Sequence, residues 1–314
     1  MIVCNDKNIN LDFSKLTILD RLGEGGFGVV YKAEYNEVES IEIALKKINL
    51  TAGVDFKKQE AEVLLKSFLR ELDAYIEIKG ENILKMIGSC ISKNECYIAT
   101  EYMKNGSLTD MLLGNKNFGF YDRFKVAFGM ICGIKRIHEN GFMHKDIKPD
   151  NVLITNDFSA KIADFGLARI IMDIETQFTG TGTYAYMPPE FYKFLSGEQK
   201  PNIDDLQRID IFSLGLTLVE IFKGTHGKQD RIFGPIVIKN QPEYFKELIK
   251  KCVDLDASKR PTCNQIFSYL IVLNDFIKFL RIEQFRDLEL YKIDEKDEIF
   301  DESCHLFERD FTIL

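Results

Sequence analysis

Residues 144–151 read HKDIKPDN, which packs a histidine, two lysines, two aspartates and an asparagine into eight positions. Taken alone, such a run is most often a solvated turn. Its neighbours argue for more. A helical pattern ends at Gly141 just before it and the apolar stretch NVLI follows, so the run is a loop between fixed elements, where reactive side chains concentrate. Within it Asp146 can accept a proton from a hydroxyl nucleophile, Lys148 can neutralise a phosphoryl group in transfer, and Asn151 can offer a neutral oxygen to a hard cation. Thirteen residues beyond Asn151, the string KIADFGLAR supplies Asp164 as a carboxylate, then Phe165 and a flexible Gly166. A divalent ion held by one carboxylate, one amide oxygen and substrate phosphates is the arrangement that magnesium favours.

A second group lies near the start of the chain. GEGGFGVV places Gly23, Gly25 and Gly28 in G-x-G-x-x-G spacing, which dinucleotide-binding folds also use. Those folds need a helix directly after the glycines, so that its N-terminus faces a pyrophosphate. Here the alternating VVYKAEY follows, which predicts a strand, so the glycines form a hairpin flap able to fold over phosphates. In IEIALKKI, strand alternation puts Ala44 and Lys46 on one face. A small residue beside a flat base, with an ammonium two positions on, suits a nucleotide and its phosphates. Glu71, on a predicted helix downstream, is spaced to pair with Lys46 and hold it extended.

The elements that must position these groups are visible in the hydrophobic pattern. Residues 17–50 read as strands, residues 57–79 as a helix with Phe68, Leu72, Tyr75 and Ile76 on one stripe, and NILKMIGSCI and ECYIATEYM as two further strands. Past YMKNGSL the character turns helical. Phe124, Phe128, Ile131, Ile134 and Ile137 recur at helical intervals up to the stop at Gly141. IDIFSLGLTLVEIFKG is apolar nearly all round, as expected of a helix buried at the centre of a domain, and PEYFKELIKKCVDL and CNQIFSYLIVLNDFIKFL predict two more helices.

The chain's 314 residues allow one large or two small domains with an ample core. A formal net charge of -8 argues against a general nucleic-acid binder, which would show a basic face. Seven scattered cysteines without a Cys-x-x-Cys pair, most in apolar stretches, predict buried free thiols in a reducing compartment. The N-terminal MIVCNDKNINLDF carries early charges and no long apolar core, so neither a signal peptide nor a membrane anchor is expected there and the chain reads as cytoplasmic.

GEGGFGVVYK, IALK, HKDIKPDN, DFG and MPPE, in that order and at these spacings, resemble the signature strings of eukaryotic protein kinases over roughly residues 17–280. The resemblance implies an α+β, bilobal fold: a small antiparallel β-sheet lobe with one main helix (17–103) and a larger, mainly helical lobe (104–283). An N-terminal extension (1–16) and an acidic C-terminal extension (284–314) flank it. The cofactors implied are ATP and Mg²⁺, and the partners are protein substrates with serine or threonine acceptors. By this resemblance Gly23, Gly25 and Gly28 cover the ATP phosphates, Lys46 pairs the α and β groups and Glu71 anchors Lys46. Asp146 takes the acceptor proton, Lys148 contacts the γ-phosphate, and Asn151 with Asp164 holds Mg²⁺. Val30, Ala44 and Leu153 sandwich adenine, Leu22, Glu101 and Met103 complete the nucleotide-binding set, and Thr100 takes the back-pocket position before the hinge EYM. Glu190 and Arg260 match a pair that braces the large lobe, and Asp210 an aspartate that holds the catalytic loop.

Lys148, two residues past Asp146, and Thr183 in GTYAYMPPE match the serine/threonine pattern. EYMKNGSLTDML and LIKKCVDLDASKRPT resemble the tyrosine-kinase-like group of such enzymes. Two positions depart from the family. Lys145 replaces the arginine that receives an activation-loop phosphate, keeping the charge but losing the bidentate fork. Pro188 replaces an alanine. Thr176, Thr179 and Thr181 are candidate phosphorylation sites, Thr179 first, with Lys145 and Arg169 as cations to gather the phosphate. The rival reading is a binding module that keeps the fold without catalysis, against which stand Lys46, Glu71, Asp146, Asn151 and Asp164, all present. The acidic tail leaves open both packing on the large lobe and recruitment of a regulatory partner or a second copy.

Overall fold

Alternating β-branched and aromatic residues between positions 16 and 49 form three consecutive antiparallel strands, β1 (Leu16–Gly25), β2 (Gly28–Asn36) and β3 (Ser40–Asn49). The computed structural model describes residues 10–25, 28–37, 39–49, 58–92, 95–114, 119–170, 184–195, 205–223 and 243–279. The β1–β2 hairpin closes on the pair Gly25 and Gly28. Gly28 has φ +140°, and a Cβ there would lie 2.2 Å from the Lys47 carbonyl oxygen, so only glycine fits. Register shifts on either side of Arg21 bend β1 within the flap that carries the glycines.

Helix α1 (Lys58–Glu77) follows, then β4 (Met86–Ser92) and β5 (Glu95–Glu101), giving a five-stranded sheet in the order β1-β2-β3-β5-β4. Its outer face gathers Ala33, Tyr35, Ile43, Leu45, Tyr97 and Ala99. The segment before β1 covers part of that face. The Leu11 N–H donates to the Ser89 carbonyl at 2.9 Å, and the Phe13 ring packs 5.0 Å from Tyr97. On the inner face Ile48, Cys96 and Ile98 meet Phe68, Leu72 and Tyr75 of α1, and this core continues into the second lobe.

That lobe opens with α2 (Leu108–Leu113), capped by reciprocal bonds between Ser107 and Asp110, and α3 (Phe120–Glu139), which stops before Gly141 at φ +75°. Short strands β6 (Phe142–Met143), β7 (Val152–Ile154), β8 (Ala160–Ile162) and β9 (Arg169–Ile170) pair as β6 with β9 and β7 with β8. The helices α4 (Pro189–Leu195), α5 (Gln207–Lys223), α6 (Glu243–Cys252) and α7 (Cys263–Phe279) complete it. From Ile209 to Phe222 every residue of α5 is buried, as its apolar circumference requires. Cys90, Cys96, Cys132, Cys252 and Cys263 are free thiols, all but Cys132 buried, while Cys4 and Cys304 lie outside the described residues. Among the described residues no helix is long and apolar enough to cross a membrane.

The packing of α3 on β8 determines where the site residues emerge. A Cβ on Gly129 would meet the Ala160 nitrogen at 2.9 Å, and one on Gly133 would meet Ile162 at 2.6 Å and the Asn82 carbonyl at 2.7 Å. These two glycines let the helix lie directly on the strand that ends two residues before Asp164. Gly133→Ala is therefore expected to force the two apart and lower the unfolding free energy by about 1–3 kcal/mol, read from a urea titration. An unchanged midpoint would show that the contact yields without cost.

Candidate active site

Ala44 and Lys46 share one face of β3, directly opposite Thr100 and Ile98 of β5, while Val30 of β2 lies across from Lys46. The Lys46 Nζ is 2.8 Å from both carboxylate oxygens of Glu71 and 2.8 Å from Asp164 Oδ1. Glu71 is 1% exposed. Burial would strip the proton from Lys46, but the charges of Asp164 and Glu71 outweigh it and hold the ammonium well above its ordinary pKa. In turn burial would raise Asp164, and the Lys46 ammonium outweighs that, holding the carboxyl below its usual range. Leu22 and Gly23 are exposed on the β1 flap, which Gly25 ends, and Met103 and Leu153 are half-buried at the edge of the main core.

The loop bearing Asp146 is held from beneath by Asp210 near the start of α5. This carboxylate is 0% exposed. It accepts the His144 N–H on Oδ2 and the Lys145 N–H on Oδ1, each at 2.8 Å, and Oδ2 also lies 2.9 Å from His138 Nε2. Burial alone would raise its pKa, but the hydrogen bond from His138 and the neighbouring histidine donors hold it low. Above the loop, Lys148 Nζ is 2.7 Å from Asp146 Oδ2, and the Asn151 amide donates to the same oxygen at 2.9 Å and to the Asp146 carbonyl at 2.8 Å. His144 accepts the Asp146 N–H on Nδ1 at 3.2 Å, so its Nε2 is the protonated nitrogen and donates to the Ala163 carbonyl at 3.0 Å. Lys145 has φ +70° and is buried, its ammonium 5.7 Å from the centre of the Phe191 ring.

Asp164 itself has φ +63°, the left-handed region, and its Oδ1 accepts the Gly166 N–H at 3.3 Å. Phe165 is buried, its ring 4.9 Å from Tyr75 at 80° and 5.4 Å from His144. A Cβ on Gly166 would stand 3.2 Å from Asp164 Oδ1 and in ordinary contact with Glu71 at 3.5 Å, so a side chain there would press on the carboxylate that Lys46 holds. The residues present fit a magnesium ion. Asp164 Oδ2 and Asn151 Oδ1 are hard oxygen donors that accept no hydrogen bond from a described residue, since Oδ1 of the first and the amide nitrogen of the second take up the protein partners.

Two features were not evident from sequence. The Glu101 carboxylate, on the opposite sheet face from Thr100, accepts from Lys161 at 2.6 Å and from the Lys85 N–H at 2.8 Å, so it ties the hinge to β4 and β8. Ser67 of α1 donates to the Gly166 carbonyl at 3.3 Å, and Tyr75 stands edge-on against Phe165. Glu190 and Arg260 form a two-pronged pair at 2.6 and 2.9 Å in which the guanidinium is fully buried. Thr183 and the candidate sites Thr176, Thr179 and Thr181 lie outside the described residues, as does the side chain of Arg169.

Asp210→Asn turns an amide N–H toward the donors of His138 and His144 and is expected to cost about 2–4 kcal/mol at pH 7. An aspartate in the unfolded chain binds its proton near pH ~3.9, and folded Asp210 binds it lower. Between these values the unfolded state holds more protons, so the stability this group contributes is full above the unfolded value and lost as pH falls through the folded one. Chemical denaturation between pH 5 and 2 is expected to give a shallower slope for Asp210→Asn. Equal slopes would sink the assignment.

The description of the protein kinase domain matches residues 16–270. A serine/threonine-protein kinase/receptor of Acanthamoeba polyphaga mimivirus is 31% identical over 279 residues, covering 84% of this chain and 16% of that protein. A leucine-rich repeat receptor protein kinase of Oryza sativa is 29% identical over 294 residues, covering 81% and 21%. A cysteine-rich receptor-like protein kinase of the same species is 34% identical over 213 residues, covering 65% and 30%. The chain thus spans less than a third of the length of each of these relatives. With its two-lobed architecture and a match that runs through both lobes, this chain belongs to the protein kinase family.

Proposed function

We propose that the chain is an active serine/threonine protein kinase that transfers the terminal phosphoryl group of ATP to a protein hydroxyl. The observation that carries this reading is the convergence of Lys46, Glu71 and Asp164 in one ionic cluster, above a loop whose Asp146 is gripped by Lys148 and Asn151. A chain kept only for its shape has no need of this set.

In this reading the acceptor hydroxyl approaches Asp146, the new P–O bond forms to its oxygen, its proton passes to the carboxylate, and the bond to the ADP oxygen breaks. Lys148, 2.7 Å from Asp146, balances charge on the group in transit. Lys46, kept charged by its two carboxylates, is placed for the phosphates beneath the β1–β2 flap. Asn151 and Asp164 would hold Mg²⁺, which draws negative charge from the phosphates when bound. Serine and threonine acceptors are supported by Lys148 and by the viral relative, a serine/threonine-protein kinase/receptor. Autophosphorylation is part of the proposal, with Thr179 as its first candidate. The segment holding it lies outside the described residues. Lys145 faces the Phe191 ring, so control by a loop phosphate would have to compete with that contact.

The test is mass spectrometry of the purified chain and a panel of serine- and threonine-containing peptides after incubation with Mg²⁺-ATP, beside Asp146→Asn. Phosphate on serine or threonine is expected, with turnover down about 10²–10⁴-fold in the variant. Tight nucleotide binding without phosphate on any acceptor would instead identify a non-catalytic module.

A further inference from the structure

The five-stranded sheet ends at β4, whose sequence MIGSCIS carries no charge and no proline. Edge strands are ordinarily blunted by such residues, because their unpaired N–H and C=O groups accept any extended chain. Here the cover comes from outside the strand. Asn10 forms a parallel bridge to Ser89, and the Leu11 N–H donates to the Ser89 carbonyl at 2.9 Å. Ser89 is 5% exposed, low for an edge position. Leu11 packs on the outer-face cluster that holds Cys90, Leu45 and Ala99, and the Phe13 ring lies 5.0 Å from Tyr97.

Residues 10–15 meet the sheet as an added piece. Their turn is held by their own atoms: Asp12 Oδ1 accepts the Ser14 N–H at 3.0 Å and its hydroxyl at 2.7 Å, and the Asp12 carbonyl accepts the Lys15 N–H at 3.0 Å. Phe13 remains 37% exposed, so its ring lies on the sheet rather than within a core. The surface beneath is likewise braced from within. The Tyr97 hydroxyl donates to Glu95, and Glu95 pairs with Lys47 at 2.6 Å. A preformed turn on a preformed surface gives up little freedom on contact, as a docked peptide does.

We propose that the β4 edge and the Tyr97 surface form a docking site for an extended Leu-x-Phe segment, and that residues 10–15 of this chain are its resident occupant, able to leave and return as a unit. Recognition is by strand addition: the backbone bond to Ser89 sets the register, and Leu11 and Phe13 fill alternate positions. The site backs onto the cleft. Leu45 and Lys47 flank Lys46 along β3, the first in the cluster under Leu11 and the second paired with Glu95. Its occupancy therefore bears on the strand that carries the cleft lysine.

Cys90 reports on the site, because it follows Ser89, is 9% exposed, and burial pushes its thiol up to about 11. The test is alkylation of the full chain by N-ethylmaleimide, read at Cys90 by peptide mass spectrometry, with buried Cys252 of the other lobe as reference. In the double variant Leu11→Asp, Phe13→Ala, Cys90 is expected to react about tenfold faster, the scale of one large apolar contact, while Cys252 keeps its wild-type rate. A synthetic peptide of residues 8–15 is expected to restore slow labelling, and the same peptide with Phe13→Ala is not. Wild-type labelling in the double variant would show that residues 10–15 cover nothing and overturn the proposal. Fast labelling that the peptide leaves unchanged at millimolar concentration would also overturn it, because the segment is then part of the fold and not an occupant. The single variant Phe13→Ala guards against general unfolding. If Cys252 speeds up with Cys90 there as well, the segment is integral to the small lobe and the docking site falls.

Discussion

The Lys46 ammonium is largely out of water and shared between two carboxylates that arrive from different lobes. Lys46 and Glu71 would each be expensive to bury alone, and removing either strands the other at a cost of about 3–5 kcal/mol. The cluster therefore forms only when β3, α1 and the segment after β8 are all in place. The remaining features serve that condition. The glycines of α3 bring β8 close enough, Phe165 fills the space between Tyr75 and His144, and Gly166 leaves room for the carboxylates.

A second buried carboxylate does the matching work below the cleft. Asp210 collects consecutive backbone N–H groups of the loop bearing Asp146 and a helix-end histidine, which determines where Asp146 stands relative to α5. His144 joins the two arrangements, bonding Asp146 on one ring nitrogen and the Ala163 carbonyl on the other while its face meets Phe165. The loop bearing Asp146 and the segment bearing Asp164 thus share one imidazole.

Most of the fold was legible because long elements announce themselves by period. The strands from 16 to 49, the helix α1 and the wholly apolar α5 all follow from spacing alone. The pairing of Lys46 with Glu71 was legible only from the pattern of motifs as a whole, since α1 carries other acids, among them Asp73 and Glu77, and spacing alone does not choose between them. Roles that depend on single atoms were not. Ser67 lies on the same helix, and periodicity says nothing of its hydroxyl reaching the Gly166 carbonyl. Glu101 reads as a hinge residue of the nucleotide-binding set, and the sequence did not show that strand parity sends its carboxylate to the face opposite Thr100, toward Lys161. Residues 1–16 read as an extension, and the sequence did not show that Asn10 bridges Ser89 and that the Phe13 ring lies against Tyr97.

The engagement of Glu101 has a consequence for selectivity. Its carboxylate and its N–H are both spent on the protein, the first on Lys161 and Lys85, the second on the Lys85 carbonyl. A base entering beside Thr100 meets peptide at position 101 and no side-chain charge. The side chain at 101 is thereby given over to joining the sheet to β8 through Lys161. A substitution there would cut that tie and leave the peptide that borders Thr100 in place.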